Sequence, residues 1–279
     1  MSTFPWLKGH GTENDFVLLP DPDGSVHGDL EPELVRFLCD RYAGIGADGV
    51  LRVIEGSKQS YVEDGGEWFM DYRNADGSTA EMCGNGIRVF VRYLVDEGLT
   101  AGKPVRIGTR AGVKEVVVHD DGTITADLGE PVVGPAGVVV EANGHQWPAV
   151  AVDMGNPHAV AFVDDLREPG HLVDQPAWSP EEAFPAGVNV EFVVRRGPYD
   201  VQMRVHERGA GETRSCGTGT CAVTVAATLA ARQQRPVTYR VGVPGGEVAV
   251  TWRADNHLEL RGPAVVHARG EFDRGWLPA

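Results

Sequence analysis

The residues with most chemical potential lie in two short stretches, Glu81-Met82-Cys83-Gly84-Asn85-Gly86 and Arg214-Ser215-Cys216-Gly217-Thr218-Gly219. Each sets a cysteine directly before a Gly-x-Gly step, and each step leads into an apolar stretch with helical spacing. A free thiol has a pKa of about 8.5, and a helix N-terminus lowers it, because first-turn N–H groups and the helix dipole stabilise the thiolate. The same N–H groups, here those of Gly84, Asn85, Gly217 and Thr218, form a pocket for an anion such as a carboxylate. Each motif thus offers a base and part of a carboxylate clamp. One thiolate could remove a proton from a carbon while the other thiol donates one to the far face, inverting it without a cofactor. Such a pair holds one proton between its members and titrates as a dyad.

A cysteine taken singly is usually a small buried hydrophobe. That reading stands for Cys39 and Cys221, which lack the Gly-x-Gly context. Four cysteines without a Cys-x-x-Cys argue against a disulfide scaffold or a metal site. Among the histidines only His158, after Gly155-Asn156-Pro157, sits in a motif-like turn; His10 and His206 are ambiguous.

The elements that must position these groups come from a chain of 279 residues, 42% hydrophobic and 23% charged, which is enough for two domains. With 36 glycines and 18 prolines, it reads as strand-rich with many turns. A net charge of −15 argues against nucleic acid and anionic membranes as partners. The N-terminus has no apolar signal segment, and Ala222 to Ala231 is too short to span a bilayer. A cytoplasmic location is expected.

Gly9 to Asp15 is either a loop offering Asn14 and Asp15 to a site or a turn between two strands. Helical spacing predicts helices over Glu31–Arg41, Ile87–Glu97 and Thr220–Arg232. Strands are expected at 50–53, 68–73, 105–107, 113–119, 123–128, 150–154, 159–163 and 200–205, with Asp120-Asp121-Gly122 as a hairpin turn. Residues 55–67 read as a polar surface excursion. Short strands fill 238–243, 246–253, 257–261 and 264–268. A boundary falls at Leu128-Gly129-Glu130-Pro131, after which the order of strands, motif, helix and strands begins again.

Gly9 to Phe16, Tyr72 to Arg88, Gly155 to His158, Val188-Asn189-Val190 and Val205 to Cys221 together resemble the diaminopimelate epimerase family of cofactor-independent amino-acid epimerases and racemases. Glu207-Arg208-Gly209-Ala210-Gly211-Glu212-Thr213-Arg214-Ser215-Cys216-Gly217-Thr218-Gly219 is the most specific block. The resemblance implies an α/β (α+β) fold of two pseudo-symmetric lobes, each a strand-rich barrel around a central helix, with the active site in the cleft between them. The lobes would be 1–128, with 263–279 returning to it, and 129–262. It implies epimerisation of LL- to meso-diaminopimelate without cofactor or metal, in lysine and peptidoglycan precursor synthesis, by a homodimer. It makes Cys83 and Cys216 the acid–base pair. It gives the reacting carboxylate to Gly84, Asn85, Gly217 and Thr218, and the reacting amine to Asn14 and Glu207, with His158 beside Glu207. Asn74, Asn156, Asn189 and Arg208 would read the distal amino-acid end. Arg208 can grip a carboxylate bidentately, and three amides supply donors and acceptors without charge.

Two positions depart from the family pattern: Thr12-Glu13 stands where Leu-Gly is common, and Gly49 replaces a Gln. An epimerase of another amino acid on the same fold, or a non-catalytic anion-binding protein, are the competing readings. The second has no need of a thiol at both helix starts.

Overall fold

The stretch around Gly11 is a hairpin: a strand β1 (Thr3–Gly11) turns through Thr12 and Glu13 into β2 (Asn14–Pro20). Both turn residues have positive φ, 51° and 61°, as a two-residue turn matching the strands' twist requires. The computed structural model describes residues 3–58, 66–100 and 104–276; residues 59–65 of the expected polar excursion lie outside the described residues. The chain divides into two compact units, one of residues 1–126 with 263–279, the other of residues 127–262.

In the first unit α1 (Pro32–Cys39) carries the chain from β2 to β3 (Gly49–Glu55), which lies parallel to β2. β4 (Trp68–Asn74) returns antiparallel to β3. α2 (Gly84–Asp96) then crosses to β5 (Val105–Thr109), parallel to β4, and β6 (Gly112–Val118) and β7 (Ile124–Asp127) follow antiparallel. Pro32 at the first position suits α1, where its missing N–H costs nothing. Val35 and Leu38 bury it against Phe4, Val17, Leu19 and Val50, each fully buried apolar side chain contributing about 1.5–3 kcal/mol. α2 is buried almost all round, from Gly84 to Val91, and packs on β1 to β4.

The second unit adds β8 (Val132–Val133), β9 (Val138–Ala142), β10 (His145–Asp153), β11 (Pro157–Phe162) and β12 (Ala177–Ser179). β13 (Asn189–Gly197) lies parallel to β11, and β14 (Asp200–Glu207) antiparallel to β13. After β15 (Gly211–Thr213), α3 (Gly217–Ala230) crosses to β16 (Val237–Val243), parallel to β14. β17 (Gly246–Trp252) and β18 (Leu258–Gly262) follow antiparallel. α3 carries no charged residue and is buried from Gly219 to Thr228, the Thr220, Thr224 and Thr228 hydroxyls bonding back to its own carbonyls. Val138, Val140, Ala161, Val190 and Phe192 lead the core of this unit. Finally β19 (Val265–Asp273) pairs antiparallel with β1, and Phe272 seats against Phe4 and Phe37.

The series β10, β11, β13, β14, α3, β16, β17, β18 repeats β1, β2, β3, β4, α2, β5, β6, β7 pairing for pairing. The barrels implied by the resemblance are a correction: the sheets are open. A closed barrel needs its first and last strands to share a ladder, and among the described residues none joins β19 to β7 or β12 to β18. Each helix packs on the strands of its own unit.

Candidate active site

Both helices begin three residues earlier than their apolar spacing suggested, because a thiol caps each one. Cys83 has extended backbone, φ −137° and ψ 121°. Its Sγ accepts the Gly86 N–H at 3.4 Å and its carbonyl accepts the Ile87 N–H at 2.9 Å. Sulfur thus takes the place usually held by a serine or aspartate oxygen. The N–H groups of Gly84 and Asn85 stand ahead of that first intrahelical bond, where a helix start presents its donors.

Two side-chain amides, Asn14 and Asn85, lie beside Cys83. The Asn14 Oδ1 lies 3.9 Å from Sγ and accepts the Asn85 Nδ2 at 3.1 Å. Its Nδ2 donates to Asp48 Oδ2 at 2.8 Å. Behind Asp48, Arg41 donates to its Oδ1 at 2.7 Å and to Asp15 at 2.8 Å, and Lys8 pairs with Asp15 at 3.0 Å. Burial works to raise the Asp15 carboxyl, but Arg41 and Lys8 outweigh it and hold it at about 2. Burial pushes Asp48 up, and the charge of Asp15 adds to this. Cys39, beside them, is pushed up to about 12 by burial, which fits a packing role.

Cys216 caps α3 in the same way, accepting the Gly219 N–H at 3.4 Å, with the Thr218 Oγ1 at 3.5 Å. Its surroundings are unlike those of Cys83. The thiol is buried and lies within the field of the Glu207 carboxylate. Burial pushes it well above its ordinary value, and the charges of Glu207 and Glu191 push further. Burial likewise raises Glu207, which also accepts the Thr213 hydroxyl. Glu191 and His158 are both fully buried, with Nδ1 and Oε1 2.6 Å apart. The other histidine nitrogen meets Asn156 Oδ1 at 3.1 Å.

Gly219 is required by this crowding. A Cβ there would stand 2.8 Å from Glu191 Oε1 and 3.3 Å from Cys216 Sγ. At Gly86 the nearest atom is the flexible end of Leu51, at 3.2 Å. The same motif therefore makes room for a carboxylate in one unit and only for packing in the other.

Of the expected distal readers, three gather in the second unit. His158 and Asn189 are ladder partners on β11 and β13. The Asn189 amide bridges loops, donating to Pro157 O at 2.9 Å and accepting the Arg208 N–H at 2.9 Å. The exposed Arg208 guanidinium rests on Ala186 O at 3.1 Å. Asn74 belongs to the first unit, where Tyr72 donates to its Oδ1 at 2.8 Å and its Nδ2 donates to Ser78 at 3.0 Å. Sequence reasoning missed Asp48 and Glu191. The signal for Glu191 was a lone carboxylate in the otherwise apolar run Val190 to Val194.

The arrangement suits proton transfer at a carbon whose carboxylate is held by helix-start N–H groups. Among the described residues no cluster of three His, Cys, Asp or Glu could hold a metal ion, and no helix is long and apolar enough to cross a membrane.

A family model described as diaminopimelate epimerase matches residues 6–134 and 150–267. The diaminopimelate epimerase of Streptomyces coelicolor is 52% identical, covering 99% of this chain and 98% of its own. That of Corynebacterium glutamicum is 47% identical, covering 96% and 98%. Among solved structures, a phenazine biosynthesis protein of the PhzF family from Bacillus anthracis matches with a TM-score of 0.72 at 17% identity, covering 98% of this chain and all of its own. A hydroxyproline epimerase from Agrobacterium vitis matches with a TM-score of 0.68 at 16% identity, covering 97% and 92%. At such identities these two speak for the fold.

Proposed function

The chain belongs to the diaminopimelate epimerase family, and on that premise we propose that it interconverts LL- and meso-diaminopimelate by a two-base mechanism, in the synthesis of lysine and peptidoglycan precursors. It is an isomerase. The observation that carries the two-base reading is the thiol capping a Gly-x-Gly helix start in each unit.

The proposed cycle balances without any carrier. The thiolate of one cysteine takes the α-proton and becomes a thiol. The other thiol gives its proton to the opposite face of the carbon and becomes a thiolate. The next turnover can run in reverse with the roles exchanged. Charge building up on the reacting carboxylate is met by the N–H groups of Gly84, Asn85, Gly217 and Thr218. The carboxylates beside Cys216 support its resting as the thiol, which leaves Cys83 as the resting base. Asn14 and Glu207 are assigned to the reacting amine, with His158 supporting Glu207 electrostatically. Arg208 with Asn74, Asn156 and Asn189 is assigned to the distal amino-acid group. A site demanding both charges there rejects ordinary amino acids, whose binding would leave its polar groups unpaired. The reading includes a cytoplasmic homodimer that needs no pyridoxal phosphate.

The test is solvent exchange. Purified protein in deuterium oxide incorporates deuterium at the α-carbon of diaminopimelate, and Cys83→Ala and Cys216→Ala each abolish epimerisation. Full epimerisation by Cys83→Ala would sink the two-base mechanism. Inversion of proline or glutamate but not of diaminopimelate would sink the substrate assignment.

A further inference from the structure

A side-chain amide has an accepting end and a donating end of nearly the same shape. At Asn14 the surroundings tell them apart. The Asp48 carboxylate can only accept, so the Asn14 nitrogen faces it, at 2.8 Å. The oxygen is then turned to Asn85 Nδ2 at 3.1 Å and to Cys83 Sγ at 3.9 Å. Asp48 is itself pinned, accepting Arg41 Nη2 on Oδ1 at 2.7 Å and the Asp15 main-chain N–H on Oδ2 at 3.1 Å. The titratable groups facing this assembly include Arg41 after α1, Asp15 on β2, Lys8 and His10 on β1, His267 on β19 and the buried Cys39 of α1.

We propose that Asp48 is a positioning residue, which fixes the Asn14 amide with its carbonyl oxygen toward Cys83 and so sets a hydrogen-bond acceptor beside that sulfur. An acceptor there can take the S–H or a substrate ammonium, and it offers nothing to a thiolate. It therefore restrains the ionisation that the Gly86 N–H promotes. The consequence for turnover rests on the proposed reaction; the orientation itself does not.

The decisive variant is Asp48→Asn, which keeps the shape. The charged Arg41 keeps the new amide's oxygen, the stronger of the competing bonds, at the cost of the Asp15 main-chain N–H bond to Oδ2, so the new amide nitrogen faces Asn14. Asn14 must then turn its oxygen to that nitrogen, and its own NH2 comes to face Cys83. A donor replaces an acceptor beside the sulfur. The pH midpoint of iodoacetamide alkylation at Cys83, read by peptide mass spectrometry, then falls by about one unit. Loosened packing also lowers the midpoint, by hydrating the thiolate, but it does so in the Asn14→Ala background as well, and that background therefore separates the two causes.

Asn14→Ala removes the acceptor and lowers the midpoint as well. In that background Asp48→Asn moves it no further, because Asp48 acts through Asn14. Melting curves establish that each variant is folded. An unchanged or raised midpoint in Asp48→Asn overturns the proposal, and so does an equal shift in the Asn14→Ala background. If Asp48→Asn does not fold, a midpoint in Asn14→Ala that fails to fall overturns it. Alkylation reads the sulfur without any turnover, so a wrong substrate assignment shows up separately, in the solvent-exchange assay.

Discussion

Glu191→Gln isolates the electrostatic cost of a buried carboxylate beside the Cys216 thiol. A Cβ at Gly219 would lie 2.8 Å from Glu191 Oε1 and 3.3 Å from Cys216 Sγ, so oxygen and sulfur stand at most about 6 Å apart. Two unit charges at about 6 Å, with an effective dielectric of about 20, interact by about 2.8 kcal/mol, or about two pH units. His158, 2.6 Å from Glu191, cancels part of that charge whenever its ring is protonated. The expected effect is a fall of about one unit in the ionisation midpoint of Cys216. Glutamine keeps an oxygen for the histidine N–H, so the pocket retains its shape.

The assay is pH-dependent alkylation at Cys216, paired with thermal melting. The melting has its own sign. Burial raises the Glu191 carboxyl above its ordinary value. A group raised on folding contributes stability that is present below its unfolded pKa and lost as pH climbs through the folded one. Glutamine suffers no such loss, so the variant's advantage in melting temperature grows as pH rises from about 4. A Cys216 midpoint that stays or rises refutes the electrostatic reasoning; an advantage that shrinks with pH refutes the assignment of Glu191 as a strained carboxyl.

Gly219→Ala forces the Glu191 carboxylate against its histidine, and a displacement of about 1 Å at a reacting centre lowers kcat by about a hundredfold. Gly86→Ala meets a Leu51 methyl, the Cys83 Cβ and the Phe16 ring at 3.2, 3.3 and 3.5 Å, with no charged group among them, and retains activity within about tenfold, helped by up to about 1 kcal/mol of helix propensity. Arg208→Lys loses the planar fork, and steady-state kinetics show KM for diaminopimelate up by about tenfold with kcat little changed. Asp15 is held at about 2, so its pairing stabilises the fold above its ordinary value near 3.8 and is lost as pH falls toward 2. Asp15→Asn therefore melts below the parent at pH 6 and converges with it in strong acid; a constant gap between the curves would show the pairing to be irrelevant.

Much of the fold could be read from periodicity: the three helices and the strands flanking each thiol lie where apolar spacing put them. What escaped has physical causes. Gly84 and Gly217 begin their helices although glycine is a poor helix former, because capping by sulfur decides the start. Thr12 and Glu13 form a turn that favours glycine and asparagine, so composition gave no sign of it. β8, β12 and β15 have only two or three residues and are fixed by their partners. At the site, residue type marked the thiols and the amides, but which carboxylate lies near which thiol depends on strand register. Glu191 is two residues beyond Asn189 on β13, and nothing local reveals that α3 covers it.

The unlike linings of the two sulfurs, amides about Cys83 and carboxylates about Cys216, bear on direction. A catalyst cannot move the ratio of two epimers at equilibrium, whatever the acidity of its groups. Under the two-base scheme the two directions start from opposite protonation states of the dyad, and these states differ in free energy. The imbalance must then appear in saturation behaviour: kcat and KM differ between the two epimers and titrate differently, while their quotients stay locked to the solution equilibrium. The two units carry the same thiol cap with unlike neighbours, and under that scheme it is the neighbours, not the thiols, that set which protonation state of the dyad lies lower.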